Sequence, residues 1–131
     1  MRTQSRAGWV NAATPWLSDL SRPLRARSST TLPDRIAGAR DLWQRRLLEV
    51  QHGPAVVPER LPAAVLRPDN PAEGEEIVAL ARRHGLSLVP YGAGSGVCGA
   101  IECGPRTLVV DTKRLRQLSV TDAGTLRVGP G

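Results

Sequence analysis

The sequence predicts an α+β fold built on a β-α-β unit, preceded by an irregular to helical lead segment. Three observations predict it. Short apolar runs at 63–66, 86–89 and 107–110 have the length of buried strands, a capped amphipathic stretch separates the first two, and Asp122-Ala123-Gly124 stands between two short runs as the turn of a hairpin.

Residues 1–60 form the lead segment. From Met1 to about Asp34 the chain is polar and punctuated by Pro15, Pro23 and Pro33, no apolar period survives across it, and it reads as mostly irregular. Its Arg-rich, acid-poor start also fits a mitochondrial-type presequence, with Leu17, Leu20 and Leu24 marking one helical face. Ile36 to Val50 is the better helix candidate: Ile36, Leu42 or Trp43, Leu47 and Val50 approximate helical spacing, Arg45 and Arg46 lie late, and Gly53 stops it.

Residues 61–131 have a clearer plan. Ala63-Ala64-Val65-Leu66 reads as a strand closed by Pro68. Asn70 then caps a helix, Pro71 takes the first helical position where its missing N–H costs nothing, and Glu73 lies near the positive end of the helix dipole. Ile77, Leu80, Ala81 and His84 share one side, the charged residues lie mostly on the other, and Gly85 ends the helix. Leu86 to Val89 is a second strand, followed by the glycine-rich stretch Tyr91 to Ala100. Thr107 to Asp111 is a third, Lys113 to Leu118 a short helical turn, and Leu118 to Thr121 with Thr125 to Val128 the hairpin.

Composition narrows the functions open to such a chain. It has 131 residues, 40% of them hydrophobic and 23% charged, which is a globular balance and the size of one domain. No run approaches the roughly 18 apolar residues of a membrane span, so no transmembrane segment is expected. A net charge of +6 would suit an anionic polymer or surface, but residues 1–60 hold 10 Lys or Arg against 5 acids, whereas 61–131 hold 8 against 7. The excess belongs to the lead segment, and with stacking aromatics, zinc spacings and a helix-turn-helix pattern not evident, no nucleic acid is expected as partner. Cys98 and Cys103 are too few for a disulfide scaffold or a four-ligand zinc site, and His52 and His84 are remote in sequence. The cysteines read as reduced thiols of a cytoplasmic protein without a metal site.

The stretch Val89-Pro90-Tyr91-Gly92-Ala93-Gly94-Ser95-Gly96-Val97-Cys98-Gly99 carries the chemistry. It holds the chain's one tyrosine and four glycines in eight positions, directly after an apolar strand. Each glycine costs roughly 0.5–1 kcal/mol of backbone entropy relative to alanine, so a cluster needs a reason such as positive φ or close approach to a ligand. Successive N–H groups of small residues can converge on one concavity and hold a phosphate, and Ser95 can add a hydroxyl. A Walker loop is excluded because no lysine precedes Lys113. A Rossmann loop is excluded because Gly92, Gly94 and Gly96 alternate and Gly104-Pro105 prevents a following helix. A phosphate-holding loop and a merely flexible turn both remain open on these residues alone.

The order of Ala63 to Pro68, the capped helix ending Ala81-Arg82-Arg83-His84-Gly85, the strand and loop just described, Leu108-Val109-Val110-Asp111 and Val128-Gly129-Pro130-Gly131 resembles the FAD-binding, PCMH-type domain of the vanillyl-alcohol oxidase family. Within that family it is most similar to FAD-linked oxidases related to alkylglycerone-phosphate synthase and to the flavin subunits of glycolate and D-lactate dehydrogenases. The resemblance covers residues 61–131 and implies the first subdomain of a truncated FAD domain. It places the FAD pyrophosphate along Pro90, Tyr91, Gly92, Ala93, Gly94, Ser95 and Gly96. Family members with tethered flavin carry a histidine after paired glycines of this loop. Here Gly94 stands at about that point, which implies non-covalent FAD. The family's second subdomain and substrate domain are not recognisable, so no catalytic residue is assigned. The fragment is expected to bind FAD weakly or not at all and to need the missing C-terminal part or a partner chain. His84 reads as a helix-end residue, Asp111 as the cap of the next turn, Tyr91 as a ring beside cofactor or loop, and the cysteines as packing near the loop. A basic interaction module and a nonfunctional remnant are the alternatives.

Overall fold

The computed structural model describes residues 14–44 and 60–131. Three prolines organise the start of the described chain. Pro15 opens a 3-10 helix (Pro15–Asp19), Pro23 is the second residue of α1 (Arg22–Ala26), and Pro33 the second of α2 (Leu32–Gly38). These are positions at which a helix has no use for the N–H that proline lacks. The expectation of a mostly irregular stretch up to about Asp34 is corrected accordingly for residues 15–34: the prolines begin short helices rather than interrupting a coil.

The second correction concerns Ile36 to Val50. Helix α2 starts earlier and has ended by Ala39, and residues 45–50, with Arg45, Arg46, Leu47 and Val50, lie outside the described residues, as do His52 and Gly53. Gly38 lies against the sheet, where a β-carbon would come 3.1 Å from Val65 Cγ2, so the helix end is pressed onto the strands.

Strands β1 (Ala64–Leu66), β2 (Ser87–Tyr91) and β3 (Thr107–Asp111) form a parallel sheet in the order β1-β3-β2. Ala64 pairs with Leu108 and Leu66 with Val110, while Leu88 pairs with Leu108 and Tyr91 with Asp111. The predicted β-α-β unit is present as β1, α3 (Pro71–His84) and β2, but β3 enters between its two strands. The free edge of β1 is closed by Ser29, which exchanges two backbone hydrogen bonds with Val65 (2.8 and 2.9 Å).

Side-chain alternation along the strands divides the core. Ala64, Leu66 and Leu108 pack on one side with Ile77 and Leu80 of α3 and with Trp16, Leu20 and Leu24 from the lead segment. Val65 and Val109 turn to the other side, toward Gly38. Among the described residues the lead segment therefore supplies this core's aromatic ring, Trp16, and a fully buried leucine, Leu24.

Both ends of α3 form as the sequence predicts. The Asn70 side-chain oxygen accepts the Glu73 N–H at 3.0 Å, and Gly85 takes φ +60, the left-handed conformation that closes a helix. Arg106 then covers the C-terminus, its guanidinium donating to the carbonyls of His84 (2.7 Å) and Gly85 (2.9 Å). Beyond β3, residues 112–115 make a hydrogen-bonded turn rather than a helix, with Leu115 N–H donating to the Thr112 carbonyl. The hairpin β4 (Leu118–Val120) and β5 (Leu126–Val128) follows, pairing Leu118 with Val128 and Val120 with Leu126. Among the described residues no helix is long and apolar enough to cross a membrane, and no group of three His, Cys, Asp or Glu could hold a metal.

Candidate functional site

All three parallel strands end at the same side of the sheet, at Leu66, Tyr91 and Asp111, and the glycine-rich loop leaves from the end of β2 there. Open parallel sheets offer ligands a crevice at this carboxyl edge. The loop borders a recess of about 280 Å3 lined by residues 90–96, Asp41, Ala100 and Ile101. Pro90, Tyr91, Gly92, Ala93, Gly94, Ser95 and Gly96, the residues singled out from sequence, are thus together on one wall.

The backbone of that wall is available. Among the described residues no acceptor meets the amides of Gly92, Ala93, Gly94, Ser95 or Gly96, whereas the flanking strand amides are paired in the sheet. Small residues keep the wall thin. Gly94 has φ +71, and a β-carbon on it would come 2.3 Å from the Tyr91 hydroxyl oxygen. Gly92 lies close to the returning C-terminal segment, where the Thr112 hydroxyl stands 3.0 Å from the Pro130 carbonyl and 3.3 Å from that of Tyr91.

Tyr91 is folded back over the loop, with the Lys113 ammonium 4.5 Å from its ring centre. Burial raises the phenol's pKa above its ordinary value; Arg40 acts in the opposite sense, and the carboxylates of Asp111 and Asp41 add to the rise. Asp111 caps the following turn as predicted, accepting the Lys113 N–H at 3.1 Å, and its second oxygen lies 3.5 Å from Lys113 Nζ and 3.6 Å from Arg67 Nε. Arg67, immediately after β1, also binds Asp34 at 2.9 Å. Two strand ends are thereby joined by alternating charges.

Sequence reasoning missed Asp41. The helical spacing of 36–50 places it in a helix, yet it sits outside α2, 2% exposed, at the edge of the recess. One carboxylate oxygen accepts the Trp43 N–H (3.0 Å) and the other accepts the Gly99 N–H (3.0 Å). The available signal was the aspartate's capacity to bond an amide two residues ahead, which competes with helix formation. The other singled-out residues fall elsewhere. His84 pairs with Asp19 (2.8 Å) at the opposite, amino-terminal edge of the sheet, Cys98 is exposed in the loop, and Cys103 is partly buried.

A family model described as "FAD binding domain" matches residues 62–131. An alkyldihydroxyacetonephosphate synthase of Trypanosoma brucei brucei is 36% identical over 93 residues, which span 66% of this chain and 14% of that protein. Two solved structures of alkyldihydroxyacetonephosphate synthase are similar. One has a TM-score of 0.72 at 22% identity, covering 86% of this chain and 22% of that one; the other has 0.67 at 26%, covering 75% and 18%. A substrate-bound p-cresol methylhydroxylase shares the fold at a TM-score of 0.51 and 9% identity, over 81% of this chain and 19% of that one.

Proposed function

The chain belongs to the family of the FAD binding domain, and from that premise we propose that residues 90–96 hold the pyrophosphate of a non-covalently bound FAD. The observation that carries this reading is the run of five amides, Gly92 to Gly96, without an acceptor among the described residues, on a recess at the carboxyl edge of a parallel sheet. A pyrophosphate is a dense array of acceptors, and convergent backbone N–H groups satisfy it without a basic side chain. The glycines at 92, 94 and 96 let it approach the backbone closely. The residues present therefore fit the group.

Non-covalent attachment is supported by Gly94 itself. It offers no nucleophile, and the space a side chain would need there is filled by the Tyr91 phenol. FAD, when bound, supplies the hydride or electron chemistry of an oxidoreductase or of a synthase similar to alkyldihydroxyacetonephosphate synthase. This chain's own residues bind and orient: the loop amides grip the anion, Tyr91 walls the recess, and Lys113 and Arg40 place positive charge beside the ring. The chain spans 14% of the curated relative it matches, and the activity of a whole enzyme of this kind is part of the proposal.

The test is an FAD titration of the 131-residue chain followed by amide NMR shifts. Weak, saturable shifts at residues 92–96 are expected, with a dissociation constant between about 10 μM and 1 mM, corresponding to roughly 4–7 kcal/mol. Saturable shifts confined to α3 or to the hairpin would overturn the reading.

A further inference from the structure

We infer that Asp41 is a positioning residue of this cofactor loop, although it lies outside residues 62–131 that the family model matches; the inference rests on the reading of the loop as an FAD site. Asp41 and its neighbour form a two-sided clamp. The Asp41 carboxylate takes the amides of Trp43 and Gly99, and the Leu42 N–H donates to the Gly96 carbonyl at 2.8 Å. Three hydrogen bonds thus run between, or brace, residues 41–43 and the far limb of the loop at 96–99.

The geometry around the clamp is tight. A β-carbon on Gly96 would come 3.4 Å from the Asp41 carboxylate, and one on Gly99 (φ +70) would come 2.5 Å from Trp43 Cε3. The loop can reach Trp43 only because position 99 is glycine, whereas a β-carbon at position 96 would make ordinary contact with Asp41. A flexible glycine stretch has many conformations to lose on binding an anion. Tying down its far limb leaves Gly92 to Gly96 as the open donors and removes much of that loss beforehand. The tie also engages the Gly96 carbonyl, which would otherwise be free to face an anion. Because each Asp41 oxygen already accepts an N–H, the carboxylate's charge is partly offset where it borders the recess.

The experiment compares the wild-type chain with Asp41→Asn, Asp41→Ala and a control, Arg106→Ala, which removes the cover of the α3 C-terminus at the opposite edge. Amide hydrogen exchange and FAD-induced shifts are read on each. Asp41→Ala should accelerate exchange at Gly99 and Trp43 and weaken FAD binding about tenfold, the scale of one hydrogen bond to a charged group, with α3 amides unchanged. Asp41→Asn, whose single carbonyl oxygen can serve one of the two amides, should fall between. Should Asp41→Ala fail to fold, Asp41→Asn carries the comparison. Arg106→Ala should expose the end of α3 yet keep FAD binding. Wild-type affinity in Asp41→Ala, or an equal loss in Arg106→Ala, overturns the positioning role. If the wild-type chain's FAD-dependent shifts fall only on α3 or the hairpin, the FAD reading is overturned and the positioning role falls with it, while exchange at Gly99 still reports whether the clamp exists.

Discussion

Tyr91 covers Gly94: a β-carbon on that glycine would lie 2.3 Å from the phenol oxygen and 2.7 Å from the carbon bearing it. The ring that walls the recess and the glycine that lines it are therefore one unit.

Gly94→Ala meets two obstacles, the left-handed backbone (φ +71) and the ring. We expect a loss of about 1–3 kcal/mol in urea unfolding and weakened FAD-induced shifts. Adding Tyr91→Ala removes the collision but leaves the backbone strain, so it should restore only part of the stability. Full stability in Gly94→Ala alone would mean that the ring yields freely.

Tyr91 is the chain's single tyrosine, so its ionisation is readable by ultraviolet absorbance without interference from another phenol. Burial, with Asp111 and Asp41 nearby, holds the folded phenol's pKa above its ordinary value despite Arg40. The stabilisation linked to this shift is complete below the ordinary phenol pKa and is lost as pH rises through the higher folded one. A titration midpoint at or below that of free tyrosine would contradict the placement of the ring.

Acid should act on a different part of the molecule. Asp34 is held below the usual carboxylate range, first by the Ser29 hydroxyl and then by Thr31 and Arg67, against the cost of burial. For Glu73 burial is the largest influence and pushes upward, but hydrogen bonds from Arg27 and the Asp69 amide, with the Arg27 charge, bring the net value down. Both depressed values mean stability that is present above the ordinary carboxylate pKa and drains as pH falls through the folded ones. Glu73→Gln should cost about 1 kcal/mol at neutral pH and flatten the decline of stability below about pH 4.5. An unchanged acid profile would show that the Arg27 contact carries no weight.

Leu24 is fully buried against the sheet although it lies in the lead segment. Leu24→Ala should destabilise the fold by about 2–4 kcal/mol, measured by denaturant unfolding. A loss below about 0.5 kcal/mol, the level of an ordinary surface substitution, would mean the segment does not belong to the core.

Where residues act locally, the sequence was a sufficient guide. Asn70, Pro71 and Gly85 delimit α3 by their own backbone chemistry, and the same holds for the turn at Asp122-Ala123-Gly124 and the apolar strands. The prolines of the lead misled because proline either breaks a helix or opens one, and the choice depends on whether the next residues find a surface to cover; Leu20 and Leu24 do. Only the local half of Asp41's role, its bond to the Trp43 amide, was legible. Its partner Gly99 is 58 residues away, and such a separation leaves no periodic trace. The insertion of β3 between β1 and β2 was equally hidden, since three short apolar runs are compatible with several orders.

That insertion governs how the molecule can assemble. Among the described residues, β1 and β2 share no hydrogen bond with each other, and the one strand that either pairs with is β3. On the ribosome, helix α3 can form while the three-stranded sheet cannot, because Thr107 to Asp111 must emerge before β1 or β2 has a neighbouring strand. Sheet formation is therefore a late, long-range step, and a nascent chain halted short of Thr107 would carry its glycine loop on a strand with no strand beside it.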